Sequence, residues 1–138
     1  MITPLETGKK FVLPFTLSQE DINAFAKVTG DNNPIHLDAA FAATTPFKKP
    51  IVHGMFGAAI FSRVLGTTFP GEGTIYMKQS LSFQKPMYVD VNYEAIFEVK
   101  EIIEGKHRAL ITTSIIEKES GNTVTTGEAF VMNTQAIP

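Results

Sequence analysis

The sequence predicts an α+β fold in which one long helix is wrapped by a curved antiparallel sheet. Three observations lead there. Residues Gly54 to Thr67 carry apolar groups around nearly the whole helical circumference, with Ser62 and Arg63 as the polar interruptions, and a helix apolar all round is buried in its own protein. Val89, Val91, Tyr93, Ala95, Phe97 and Val99 alternate with Asp90, Asn92, Glu94, Glu98 and Lys100, broken only by Ile96, the period-2 signature of a strand with one wet face. Two more strand-like runs, Arg108 to Glu117 and Thr123 to Met132, follow across turns at Glu104-Gly105-Lys106 and Ser120-Gly121-Asn122. Connections this short make consecutive strands antiparallel neighbours.

From the start of the chain, Lys10 to Phe15 reads as a short strand. Ser18 with Asp21 three residues on starts a helix in the manner of a capping box. Ile22, Phe25, Ala26 and Val28 form its apolar stripe, and Gly30 closes it. Asp38 is placed to cap a short helix through Phe41 and Ala43, and Pro46 to Pro50 is a loop. In the helix at Gly54 to Thr67, Gly57, Ala58 and Ala59 are small enough to admit another backbone. Thr74 to Gln84 is read as a strand, with Lys85-Pro86 as the connection to the next.

One buried helix beside a run of long antiparallel strands is satisfied when the sheet curls around the helix, the hot-dog arrangement. Its free edge strand is a liability unless it pairs with a second copy, so a homodimer with a continuous sheet is expected. No repeats or linkers appear, and residues 1–138 are expected to form a single domain.

Twelve basic and fourteen acidic residues give a net charge of −2, which argues against a nucleic-acid partner relying on overall charge. The chain has no cysteine. Disulfides, thiolate nucleophiles, zinc–thiolate sites and iron–sulfur clusters are therefore excluded. Phe11 to Phe15 is too short for a secretory apolar core, and Gly54 to Phe61 falls far short of the roughly 18 residues of a membrane span. A cytoplasmic protein with no membrane association is expected.

The chemistry concentrates in Gly30-Asp31-Asn32-Asn33-Pro34-Ile35-His36. Gly30 accepts a positive φ, and Pro34 stops a helix from running through. Asn33 is pushed toward an extended conformation by the proline after it. Fully extended, Asp31 and His36 would stand roughly 17 Å apart, but a chain that bends here aims both into one pocket. A carboxylate and an imidazole sharing one water form the acid–base pair that adds or removes water across a double bond. The bland alternative is a helix-ending Asp turn with His36 filling a loop.

The stretch Phe25-Ala26-Lys27-Val28-Thr29-Gly30-Asp31-Asn32-Asn33-Pro34-Ile35-His36 resembles the MaoC-like hydratases, above all their (R)-specific enoyl-CoA hydratases. The resemblance continues through Phe47-Lys48-Lys49-Pro50-Ile51-Val52-His53-Gly54-Met55, returns at Leu81-Ser82-Phe83-Gln84-Lys85-Pro86 and ends at Gly127-Glu128-Ala129. The family's Gly-Asp turn after the Lys-Pro block is replaced by Tyr88-Val89-Asp90-Val91-Asn92, which bears only on the local turn. The resemblance implies a hot-dog dimer acting on CoA thioesters. It further implies syn hydration to the (R)-3-hydroxyacyl product, with no metal and no redox cofactor. Such an enzyme can divert fatty-acid oxidation intermediates toward polyhydroxyalkanoate.

On this reading Asp31 and His36 are the catalytic acid–base pair. The Gly54 N–H, at a helix N-terminus, is a donor to the thioester oxygen as it gains charge. Asn33 orients the loop or the water. Ser62 and Leu65, three apart on one helix, are expected to line an acyl tunnel with Phe130, whose bulk favours chains of roughly C4 to C6. His53 reads as a structural loop histidine rather than the third ligand of a metal triad, and His107 as solvated. Lys48, Lys49 and Lys85 are candidates for the CoA phosphates. The alternatives are hydration of a branched or dicarboxylic enoyl thioester, or a non-catalytic acyl-CoA-binding dimer.

Overall fold

The computed structural model describes residues 1–138. Strand β1 (Lys10–Phe15) leads into helix α1 (Gln19–Thr29), the short helices α2 (Pro34–Leu37) and α3 (Ala39–Ala43), and the long helix α4 (Gly54–Thr67). Strands β2 (Ile75–Gln79), β3 (Ser82–Phe83), β4 (Tyr93–Ile103), β5 (Arg108–Glu117) and β6 (Thr123–Met132) follow. They form one antiparallel sheet in the order β1-β4-β5-β6-β2, with β3 also paired to β6. Helix α4 packs on one face of this sheet, as the hot-dog reading requires.

Alternation decides which strand residues meet the helix. Tyr93, Ala95, Phe97 and Val99 of β4, Ala109 and Ile111 of β5, and Ala129 and Val131 of β6 are all buried. They share one core with Phe61, Val64 and Leu65 of α4. Phe61 is fully buried and meets Phe97 edge-on, with centroids 5.7 Å apart. Burying a side chain of this size contributes roughly 1.5–3 kcal/mol.

Several details differ from the sequence reading. Val28 is 85% exposed, because α1 buries only the narrower stripe of Ile22 and Ala26. Helix α4 is not covered all round: Met55, Ala59, Ser62, Arg63 and Gly66 form an exposed stripe. The run from Thr74 to Gln84 breaks into β2 and β3 at Ser80 and Leu81. Strand β4 begins at Tyr93 rather than Val89, since Asp90 takes a φ of +61° that no strand contains. A helical turn, α2, begins at Pro34 itself, because proline at the first position of a helix forfeits no hydrogen bond.

Candidate active site

Two helix boundaries present the proton-handling residues. The capping box predicted at Ser18 and Asp21 starts α1. Gly30 ends it in the left-handed conformation, φ 79°, with its N–H donating to Ala26. The chain thereby turns out of the helix and leaves Asp31 exposed at the corner. Asn33, at φ −53° and ψ 126°, caps α2 through its side-chain oxygen, which accepts from the Ile35 N–H. Asn33 therefore orients the loop, and α2 swings His36 inward to 9% exposure.

The bend does bring the pair together. Asp31, His36 and His53 each offer a side-chain ligand atom, and these atoms all lie within 4.8 Å of one another. All three line a cavity of about 500 Å³, with Gly54, Phe83, Lys85 and Thr125 among the other walls. Gly54 opens α4, whose N-terminus has no side-chain cap. The Phe56 N–H donates to the His53 carbonyl at 2.9 Å, which leaves the Gly54 and Met55 N–H groups without intrahelical acceptors at the positive end of the helix dipole, in residues that line the cavity.

Hydrogen bonds decide the tautomers. His36 Nδ1 lies 2.8 Å from the Ile51 carbonyl, and His53 Nε2 lies 2.8 Å from the Asp31 carbonyl. A carbonyl only accepts, so those two nitrogens carry the protons. His36 Nε2 is left with a free lone pair. Burial pushes the His36 imidazole below its ordinary 6.5; the Ile51 bond opposes this, His53 adds to it, and the Asp31 carboxylate opposes it. At neutral pH the site therefore holds a neutral imidazole beside an exposed carboxylate.

The His36 and His53 rings stack, with centroids 3.8 Å apart and planes 26° apart. His107, expected to be solvated, is half-buried, and its Nδ1 donates to the Ile137 carbonyl at 2.6 Å. Lys85 lines the cavity, whereas Lys49 sits 4.9 Å over the Tyr88 ring.

Within one protomer the predicted acyl-tunnel trio is not assembled. Leu65 is fully buried and Ser62 is exposed. Phe130 points to the opposite face of the sheet from Ala129 and Val131, into a second cavity with Lys78 and Leu110. Helical spacing put Ser62 and Leu65 three apart, but the rim of the buried stripe runs between them. Phe83 and Thr125 were missed. Thr125, buried among the apolar inward residues of β6, carried a signal, since a polar side chain on a core-facing strand position marks a site.

The family's sequence model, described as a MaoC-like domain, matches residues 2–121. The chain belongs to the MaoC-like family. Within it, the chain is 46% identical over 127 residues to the (R)-specific enoyl-CoA hydratase of Aeromonas caviae, covering 92% of this chain and 94% of that protein. It is 42% identical over 128 residues to the 3-hydroxybutyryl-CoA dehydratase of Methylorubrum extorquens, covering 92% and 80%. The solved structure of the A. caviae (R)-hydratase involved in PHA biosynthesis superposes with a TM-score of 0.90, covering 94% of this chain and 97% of that one. This MaoC-like chain thus matches the A. caviae protein in sequence and in fold along nearly its full length.

Proposed function

We propose that this protein is an (R)-specific enoyl-CoA hydratase, adding water reversibly to short-chain trans-2-enoyl-CoA to give (R)-3-hydroxyacyl-CoA. The observation that carries the reading is the meeting of Asp31 and His36 at an uncapped helix N-terminus. In the forward direction a water oxygen bonds to the β-carbon and the π electrons move toward the thioester carbonyl. One water proton passes to the Asp31–His36 pair, and the pair delivers a proton to the α-carbon. His36 Nε2, bare and neutral, and the Asp31 carboxylate are both acceptors, so together they orient the water. The Gly54 N–H donates to the thioester oxygen as charge develops there, where an oriented donor in a water-poor site is worth most. Gly54 has no side chain to block that approach.

Proton transfer and oxyanion stabilisation suffice for this chemistry, so no resident metal or redox cofactor is assigned. The short acyl preference follows from the M. extorquens relative, whose named substrate has a four-carbon acyl group. The protein acts as a homodimer: β2 lies at a sheet edge, and its Ile75, Tyr76 and Met77 are 58%, 37% and 40% exposed. An apolar, unpaired edge is the feature that a second copy covers. No helix is long and apolar enough to cross a membrane, in keeping with a cytoplasmic enzyme.

The test is hydration of crotonyl-CoA in D₂O, with the configuration read at both new centres. The (R) alcohol with syn-placed deuterium is expected. The (S) alcohol, or no hydration of any short enoyl thioester, overturns the proposal. Met77→Lys with Ile75→Lys is expected to shift the solution mass from dimer to monomer, and an unmoved dimer refutes the β2 edge as the contact.

A further inference from the structure

His53 is 1% exposed, yet it touches every element that carries the chemistry. It immediately precedes α4 and its Gly54. Its Nε2–H donates to the Asp31 carbonyl, 22 residues away in sequence. One side of its ring stacks on His36, and Phe25 of α1 lies 4.8 Å from it at 50°. Phe25 in turn stacks on Phe56 of α4 at 4.7 Å. The outcome is a ladder, Phe56–Phe25–His53–His36, joining α4, α1 and α2. His53 Nδ1 is buried without a hydrogen-bond partner, an uncommon cost for a side chain that merely fills space.

We propose that His53 is a positioning residue of the hydration reaction, holding Asp31 by a hydrogen bond and His36 by a ring stack so that both meet one water. The inference rests on the enoyl-CoA hydratase reading and extends it to a buried residue of the cavity wall that acts through Asp31 and His36. The corner that carries Asp31 is exposed, and the hydrogen bond from His53 ties its main chain to the buried start of α4. The second effect is electrostatic. The ionisable groups around His36 are Asp31, His53, Lys85 across the cavity, and Asp38 two residues on, whose carboxylate is engaged by the Phe41 N–H. His53 is the one in ring contact, and it acts with burial to keep His36 neutral.

Two variants separate these effects, each assayed on crotonyl-CoA for kcat, KM and the pH profile, with thermal unfolding alongside. His53→Phe keeps a ring in the stack and removes the donor. It is expected to lower kcat by about 10²-fold, the cost of misplacing a reacting group by about 1 Å, while KM stays within about threefold. His53→Gln restores a donor near the Nε2 position without the ring. It recovers only part of the lost kcat, the remainder being the cost of the missing ring stack on His36, and the acidic limb of its profile moves to higher pH because His36 has lost a neighbour that held it neutral. In an Asp31→Asn background, His53→Phe costs almost nothing more, since it acts through Asp31.

Full kcat in His53→Phe, or additive losses in the double variant, overturns the proposal. If His53→Phe fails to fold, the His53→Gln profile decides, and an unmoved acidic limb refutes the coupling to His36. A wild-type protein inactive on all enoyl thioesters refutes the hydratase reading itself and this inference with it. An active wild type with indifferent His53 variants refutes this inference alone.

Discussion

Gly127→Ala is predicted to damage the molecule where β6 passes the break between β2 and β3. A Cβ at Gly127 would lie 1.9 Å from the Ser80 carbonyl oxygen and 2.9 Å from Gln79 Nε2. The first neighbour is backbone, so no rotamer change relieves it. Ser80 must retreat by about 1 Å from β6, against its two bonds to Glu128: its N–H donates to the Glu128 carbonyl at 3.0 Å, and its Oγ accepts from the Glu128 N–H at 2.9 Å. Losing both costs about 1 kcal/mol each, and the forced backbone shift adds about 1–2 kcal/mol. The sum, about 3–4 kcal/mol, corresponds to a Tm lower by about 8–15 °C for a chain of this size. Phe83, two residues beyond Leu81, packs against Gly54, so kcat/KM on crotonyl-CoA should fall as well. The assay is calorimetry or CD melting of the variant beside the wild type. A Tm within 2 °C of wild type would refute the reasoning that Ser80 cannot give way.

Gly66→Ala provides the opposite case: a Cβ there meets nothing within 4 Å, and the site is inside α4, so the variant should gain about 0.5–1 kcal/mol, read as a raised denaturation midpoint. Ser18→Ala removes one half of the capping box and should cost about 1 kcal/mol in urea unfolding, without altering kcat. The acidic limb of kcat/KM should lie below pH 6.5, because His36 works neutral and burial lowers its pKa; a limb at or above 6.5 contradicts this. Linkage gives stability the same sign: the unfolded chain protonates His36 first, so the fold is progressively destabilised as pH falls from 6.5 toward the folded value, and a His36→Gln variant should show a flatter Tm–pH curve there.

Local signals in the sequence were enough to place most of the architecture. The Ser18–Asp21 cap, the Gly30 stop, the start of α4 at Gly54 and the spans of β5 and β6 are written in neighbouring residues and appear in the structure where they were read, and the alternation read from Val89 holds from Tyr93 onward. The Asp31–Asn33–Pro34–His36 bend was legible for the same reason: Gly30 and Pro34 dictate backbone angles whatever surrounds them. Features set by distant partners were not legible. The break at Ser80 depends on Gly127, 47 residues on. The exposure of Ser62 depends on where the sheet stops covering α4. His53 looked like an ordinary loop residue, because its partners at 25, 31 and 36 meet it only in three dimensions. Phe130 was expected to line an acyl tunnel with Ser62 and Leu65, yet the register with Leu110 places both on the outer face.

The most direct measurement is the loss of enoyl-thioester absorbance when crotonyl-CoA meets this protein, with Asp31→Asn alongside. Asp31 is exposed, so the variant should keep the wild-type Tm and isolate the chemistry. Hydration by the wild type, lowered by about 10²–10⁴-fold in Asp31→Asn, is the predicted result. An inactive wild type, or an Asp31→Asn variant as fast as the wild type, would contradict the account.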